Sequence, residues 1–145
     1  MSRNIYLVGV DGSEWSERAT ERAVNLAADT GAEVHLMYVI QWSAYQPLSV
    51  NELSTRPIEK KEEARFAEEE VLKPLMDKFA ESGVSMQSSY DWGHPSEVIH
   101  EAAKKEHARM IFVGRRGRSR MADLLLGSVA NRLAHHAGVP VVLVP

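Results

Sequence analysis

Short apolar runs alternate along this chain with longer segments whose apolar residues recur every three or four positions, and that alternation predicts strands and helices in succession. Ile5 to Val10 reads as a buried strand. Glu14 to Asp29 reads as a helix with Ala19, Ala23, Leu26 and Ala27 on one face, Ser13 placed to cap its start and Gly31 to end it. Glu33 to Ile40 is the second strand. From Gln41 to Pro57 the periodicity fails and two prolines intervene, so an irregular stretch is expected. A long helix is expected from Ile58 to Ser82, with Ala64, Ala67, Val71, Leu75 and Phe79 inward and Pro74 kinking it. Gly83 closes that helix, and Val84 to Tyr90 alternates as a third strand. After a Gly93-His94-Pro95 turn, Ser96 is expected to cap a helix running to about His107. Met110 to Val113 is the fourth strand; a glycine-rich loop, a helix to about His136 and a last strand, Val141 to Val144, come after it.

Strands that alternate with helices and are themselves short and apolar imply a parallel sheet covered on both faces. Ligands of such sheets bind outside the carboxyl ends of the strands, where the strand order reverses. Three segments should meet there: Val10-Asp11-Gly12-Ser13 after strand one, Val39-Ile40-Gln41 after strand two, and the loop opened by Val113-Gly114 after strand four.

That last loop, Gly114 to Ser128, carries the clearest chemistry. Gly114 and Gly117 remove side chains so that main-chain N–H groups can approach an anion, and Gly127-Ser128 falls at a helix N-terminus, with its unpaired amides and partial positive charge. Ser128 adds a hydroxyl donor, and Arg115, Arg116, Arg118 and Arg120 raise the local anion concentration. The pattern suits a polyphosphate; the competing reading is a solvated surface loop, since glycine and arginine are common in loops. Around such a loop a nucleotide would find main-chain groups at Val39 for its base, and Asp11 for ribose hydroxyls or for Mg²⁺ through water.

Composition narrows the possibilities. A chain of 145 residues, 44% hydrophobic and 26% charged, suits one globular domain. With no cysteine it has no disulfide, thiolate metal site or cysteine nucleophile. The net charge of −3 argues against general affinity for nucleic acid or acidic lipid. No segment approaches the roughly 20 apolar residues of a membrane span, and the polar start runs straight into a strand, so a cytoplasmic location without membrane insertion is expected.

No G-x-x-x-x-G-K-S/T occurs, and no G-x-G-x-x-G follows a strand, which excludes the common nucleotide loops. A phosphate-receiver domain is excluded too: Asp11 has no acidic neighbour and the last strand no lysine. Taken together, Val10-Asp11-Gly12-Ser13, the Gly93-His94-Pro95 turn, Gly114-x2-Gly117-x9-Gly127-Ser128 and the ending Gly138-Val139-Pro140-Val141-Val142-Leu143-Val144 resemble the universal stress protein family over essentially the whole chain. The resemblance implies a three-layer α/β/α fold with a five-stranded parallel sheet, Rossmann-like and similar to the adenine nucleotide α-hydrolases. Because the glycine motif is complete, it also implies the ATP-binding branch. On that basis Asp11 would contact ribose and triphosphate, Val39 would bond adenine through its backbone, and Gly114, Arg116, Gly117, Gly127, Ser128 and Val129 would line ribose and phosphates. Val10, Gly12, Ser13 and Val113 complete the candidate set at the strand ends. The resemblance further implies a homodimer through the last strand, Val141 to Val144, whose apolar edge suits pairing.

Three functions remain open on the sequence. The first is an ATP-binding, nucleotide-responsive regulator of stress adaptation that carries Mg²⁺, in which ATP orders the Arg115 to Leu126 loop for an unidentified protein partner. The second is a slow ATPase or phosphotransferase, for which only Asp11 offers a base. The third is a dimeric adaptor independent of nucleotide. No metal site is expected: His135 and His136 are adjacent on a helix and diverge by about 100°, placing them for the helix dipole. Trp42 and Tyr45 could fold over a base, but packing serves them equally and they stay outside the site. Ser13 lacks a histidine partner or a G-x-S-x-G elbow, so it reads as a cap and not as a nucleophile.

Overall fold

The computed structural model describes residues 4–41, 50–117 and 126–145, with side chains outside 50–57. Arg118, Arg120, Trp42, Tyr45 and most of the loop expected to respond to ATP lie outside the described residues. Five strands, β1 (Ile5–Val10), β2 (Glu33–Ile40), β3 (Met86–Trp92), β4 (Met110–Gly114) and β5 (Val141–Val144), form one sheet in the order β3-β2-β1-β4-β5. Every pairing is parallel. The order reverses between β1 and β4, which opens a crevice at their carboxyl ends.

Side-chain alternation along the strands divides the core. Tyr6, Val8 and Val10 face α1 (Glu14–Thr30) and the Ala67–Leu75 region, while Leu7, Met37, Val39, Ile111 and Val113 face α4 (Pro95–Glu106) and α5 (Ser128–His136). Leu7, Leu36, Ile111 and Leu133 are fully buried, and each such side chain contributes about 1.5–3 kcal/mol by leaving water. Gly9 lets α4 approach, since a Cβ there would lie 2.7 Å from Ile99 Cδ1.

Helix α1 begins and ends as its sequence implies. Ser13 is extended and its Oγ accepts from the Ser16 N–H at 3.2 Å, while Gly31, at φ 79°, donates its N–H to the Ala27 carbonyl. Elsewhere several expected boundaries differ. Helix α2 (Val50–Phe66) starts inside the stretch expected to be irregular and includes Pro57. It passes through a π-helical turn, Ala67–Leu72, into the short α3 (Lys73–Lys78), so the long helix ends at Lys78 and not at Ser82. The expected kink at Pro74 is replaced by that widened turn: the Lys73 N–H bonds the Glu68 carbonyl five residues back, and Pro74 falls in the first turn of α3, where a missing N–H costs little.

Strand β3 runs two residues later than the alternation suggests, because pairing of Val34 with Met86 through Ile40 with Trp92 sets its limits. Val84 is still in the preceding turn, its N–H bonded to Ser82 Oγ. Ser96 is not the cap of α4. Pro95 takes the first helical position, His94 is the N-cap without a side-chain bond, and His107, at φ 54°, ends the helix.

Candidate nucleotide site

A cavity of about 540 Å³ occupies the crevice at the carboxyl ends of β1, β2 and β4. Val10 and Asp11 border it from β1, Val39 from β2, and Val113, Gly114, Arg116 and Gly117 from β4 and its loop. Gly127, Ser128 and Val129 close it at the start of α5. Gly12 and Ser13, also expected at the site, do not border it. They shape the turn behind Asp11: Gly12 has φ 82°, a conformation few side chains tolerate, and the Ser13 N–H donates to Asp11 Oδ1 at 2.9 Å.

The glycine loop is built by close approach. A Cβ at Gly114 would lie 2.5 Å from Trp15 Cβ and 2.9 Å from the Arg116 carbonyl, and one at Gly117 would lie 2.6 Å from Asp11 Oδ2. Gly127 packs back on the same loop, its notional Cβ 3.4 Å from Arg116 Cα and from the Gly117 nitrogen. The three glycines therefore converge, but their amides are not all open to the cavity. The Gly127 N–H is spent on the Arg115 carbonyl at 2.8 Å, and the Arg115 N–H on the Val144 carbonyl at 2.7 Å. Gly127 thus clamps the two ends of the loop. The direct donors at this end are the first-turn amides of α5, whose N-cap carries no side-chain hydrogen bond.

Polar groups around the cavity are of two kinds. Ser16 Oγ donates to the Ser13 carbonyl at 2.9 Å and accepts from the Asp11 N–H at 3.3 Å, so this buried hydroxyl stiffens the β1 turn. Arg116 is different: its Nε is buried and has no hydrogen-bond partner among the described residues. A buried donor without an acceptor is costly, and Arg116 is one of the residues that border the cavity.

Several lining residues escaped the sequence reading. Gly9, Ile99 and Ala130 form apolar floor, and Pro95 brings in the start of α4. Gly9 had a signal, a glycine inside a strand. Tyr38 extends the wall beside Val39, next to Ile40 and Gln41 that were expected at this edge, and Glu63 reaches the cavity from α2. Nothing local marks Glu63, since only the tertiary path of α2 brings it there.

The ladder also explains why Val39 is a suitable wall for a base. The bond from the Glu33 N–H to the Asn4 carbonyl sets the alternation, so His35, Met37 and Val39 turn their main-chain groups toward β1. The last pair between these strands is Val10 with Tyr38, which leaves the Val39 carbonyl one step beyond the end of β1.

A parallel α/β sheet with this strand order, and a cavity at its switch point, defines a Rossmann-like fold. The universal stress protein family model matches residues 1–145, and the chain belongs to that family. The universal stress protein YxiE of Bacillus subtilis is 30% identical over 145 residues, covering 97% of this chain and 98% of its own. Among solved structures, the universal stress protein UspA from Lactobacillus plantarum superposes with a TM-score of 0.87 at 23% identity, covering 100% of this chain and 99% of its own. A universal stress protein solved in complex with cAMP (TM-score 0.68, 23% identity, 100% and 99% covered) shares the fold. So does one from Archaeoglobus fulgidus in complex with dAMP (TM-score 0.68, 20% identity, 100% of both chains).

Proposed function

We propose that this protein binds ATP in the crevice cavity and acts as a nucleotide-responsive stress-adaptation regulator in the cytoplasm. The observation that carries the reading is the convergence of Gly114, Gly117, Gly127 and the open first turn of α5 on one cavity at the strand switch point. Its volume falls within the roughly 300–1,000 Å³ of small-molecule sites. The unpartnered Nε of Arg116 fits a phosphate oxygen, and the space at Gly117 that a Cβ would fill against Asp11 suits a ligand backbone lying close to the chain. Two neighbours solved with adenine nucleotides support the same ligand class.

The residues divide the ligand. The Val39 carbonyl and its neighbours meet the adenine, Asp11 and the β1 turn meet the ribose, and Gly114 to Gly117 with Gly127 to Val129 meet the phosphates. Two carboxylates, Asp11 and Glu63, border the cavity beside one described cation, Arg116. A triphosphate there calls for added positive charge, so Mg²⁺ would accompany it, with Asp11 as the described acidic residue beside Gly117. Bound Mg²⁺ would neutralise phosphate oxygens.

Mass spectrometry of gently purified protein, followed by calorimetric titration with ATP, ADP and AMP with and without Mg²⁺, tests the assignment. Saturable one-site ATP binding strengthened by Mg²⁺ is expected; no binding by any of the three would remove the reading.

The protein would pair through β5. That strand is at the sheet edge, and Val141, Val142 and Leu143 are only half-buried. The bonds from the Ile111 N–H to the Pro140 carbonyl and from the Arg115 N–H to the Val144 carbonyl set the alternation. Val142 and Val144 therefore bond inward to β4, and Leu143 presents its N–H to the free edge. Leu143→Pro removes an edge donor without removing a rung to β4. Light scattering should show a wild-type dimer and a folded monomeric variant; a wild-type monomer would refute the pairing.

A further inference from the structure

Glu63 borders the main cavity from α2, and two contacts made by the same stripe of that helix fix which end of the cavity it serves. Residues three apart on a helix are neighbours on its surface. One turn after Glu63, Phe66 packs on Tyr38 with ring centroids 6.5 Å apart. One turn before it, the Lys60 ammonium lies 5.7 Å from the centre of the Trp92 ring. Tyr38 precedes Val39 on β2, and Trp92 ends β3, paired with Ile40. Helix α2 therefore crosses the carboxyl ends of β2 and β3, and Glu63 stands between its two anchors, at the Val39 to Gln41 end of the crevice. Gly114 and Gly117 follow β4, which is two strand spacings from β2, or about 10 Å. Glu63 is thus set apart from the phosphate end.

Its bonding state differs from that of its neighbours. Arg65 pairs with Glu62 at 3.5 Å and with Glu69 at 3.0 Å, whereas Glu63 forms no hydrogen bond or ion pair with a described residue. A carboxylate gains nothing from a triphosphate; what it can take from a nucleotide is a donor on the base. The Val39 carbonyl, one step beyond the end of β1, is a second acceptor at the same end. Two acceptors match a group that carries two hydrogens, which on adenine is the exocyclic amine. Hypoxanthine has a carbonyl oxygen at that position and would set acceptor against acceptor.

We propose that Glu63 selects the base: its carboxylate and the Val39 carbonyl share the two hydrogens of a purine 6-amino group, so that a 6-aminopurine nucleotide is favoured over a 6-oxopurine one. This selection rests on nucleotide binding in the crevice as proposed above, and α2 supplies its determinant. Glu63 is exposed, so water competes for its carboxylate, and the discrimination is about tenfold, far below the roughly ten-thousandfold of a dry site.

Calorimetric titration of the full chain with ATP and with ITP, which differ in the purine 6-substituent and the N1 proton that accompanies it, tests the assignment. The wild type should bind ATP about tenfold more tightly than ITP. In Glu63→Gln, whose amide can also donate to a 6-carbonyl, the ratio should fall to about threefold or less. The ratio is the readout because removing a negative charge beside the cavity strengthens both triphosphates alike. An unchanged ratio in Glu63→Gln, or equal affinities in the wild type, overturns the selection while ATP binding in the crevice stands. Binding of neither nucleotide by the wild type overturns both.

Discussion

Two strand-to-helix connections face the main cavity, and they spend their polar groups in opposite ways. Between β1 and α1 the chain turns within three residues: Ser13 Oγ caps the helix, Asp11 Oδ1 takes the Ser13 N–H, and Ser16 Oγ ties the Asp11 N–H to the Ser13 carbonyl. Between β4 and α5 the main chain is equally well anchored at Arg115 and Gly127, yet among the described residues the side-chain level is left open. The cap at Gly127 has no side chain to offer, and Arg116 Nε lacks an acceptor among the described residues. One connection is a finished scaffold that fixes a carboxylate; the other holds hydrogen-bonding capacity in reserve. Unsatisfied groups next to a satisfied frame are the physical mark of a binding face.

Substitutions can break this contrast from either side. Gly117→Val should act most strongly, because the new Cβ occupies space 2.6 Å from Asp11 Oδ2 and fills the phosphate cradle. ATP affinity should fall by about a hundredfold or more, roughly 2.7 kcal/mol or more, while circular dichroism stays native; unchanged calorimetric affinity would place the nucleotide elsewhere. Arg116→Met keeps the stem and removes the guanidinium. It should weaken ATP about tenfold, or 1.4 kcal/mol, and adenosine hardly at all, so an equal loss for both ligands would show that Arg116 is not reading phosphate. Ser13→Ala inverts the pattern: urea unfolding should lose about 1 kcal/mol with the cap. ATP affinity should change less than about threefold, since the Ser13 amide that fixes Asp11 is retained; a large affinity loss would mean the β1 turn is itself part of the ligand contact.

Much of this architecture is legible in the amino acids. β1, β2 and β5 and the end of α5 follow from apolar runs bounded by Gly31, Gly138 and Pro140, because parallel strands covered by helices tolerate few polar residues. The convergence of Val10, Asp11 and Val39 on the Gly114 loop follows from the rule that such sheets bind at their carboxyl ends. What local pattern does not carry is how a chain relieves a conflict. Pro74 signals a break in hydrogen bonding, but whether the helix kinks or widens depends on how Ala67, Val71, Leu72 and Leu75 seat on the sheet. The free amide expected at Gly127 is taken by Arg115, a partner twelve residues away that spacing alone does not identify. Glu63 and the hydrogen bonds that join His35 to Ser89 and Glu106 are invisible for the same reason, since each joins elements far apart in the chain.

Arg115 has both of its main-chain groups engaged. Its nitrogen is fastened to the terminal strand and its oxygen to the threshold of α5, while its side chain projects into solvent. Position 115 is therefore a splice, indifferent to side-chain identity and intolerant only of proline, which would strip out the hydrogen that joins it to Val144. Such joints escape any inventory of side chains, and here one of them keeps the start of the glycine loop and the outermost strand in fixed registration.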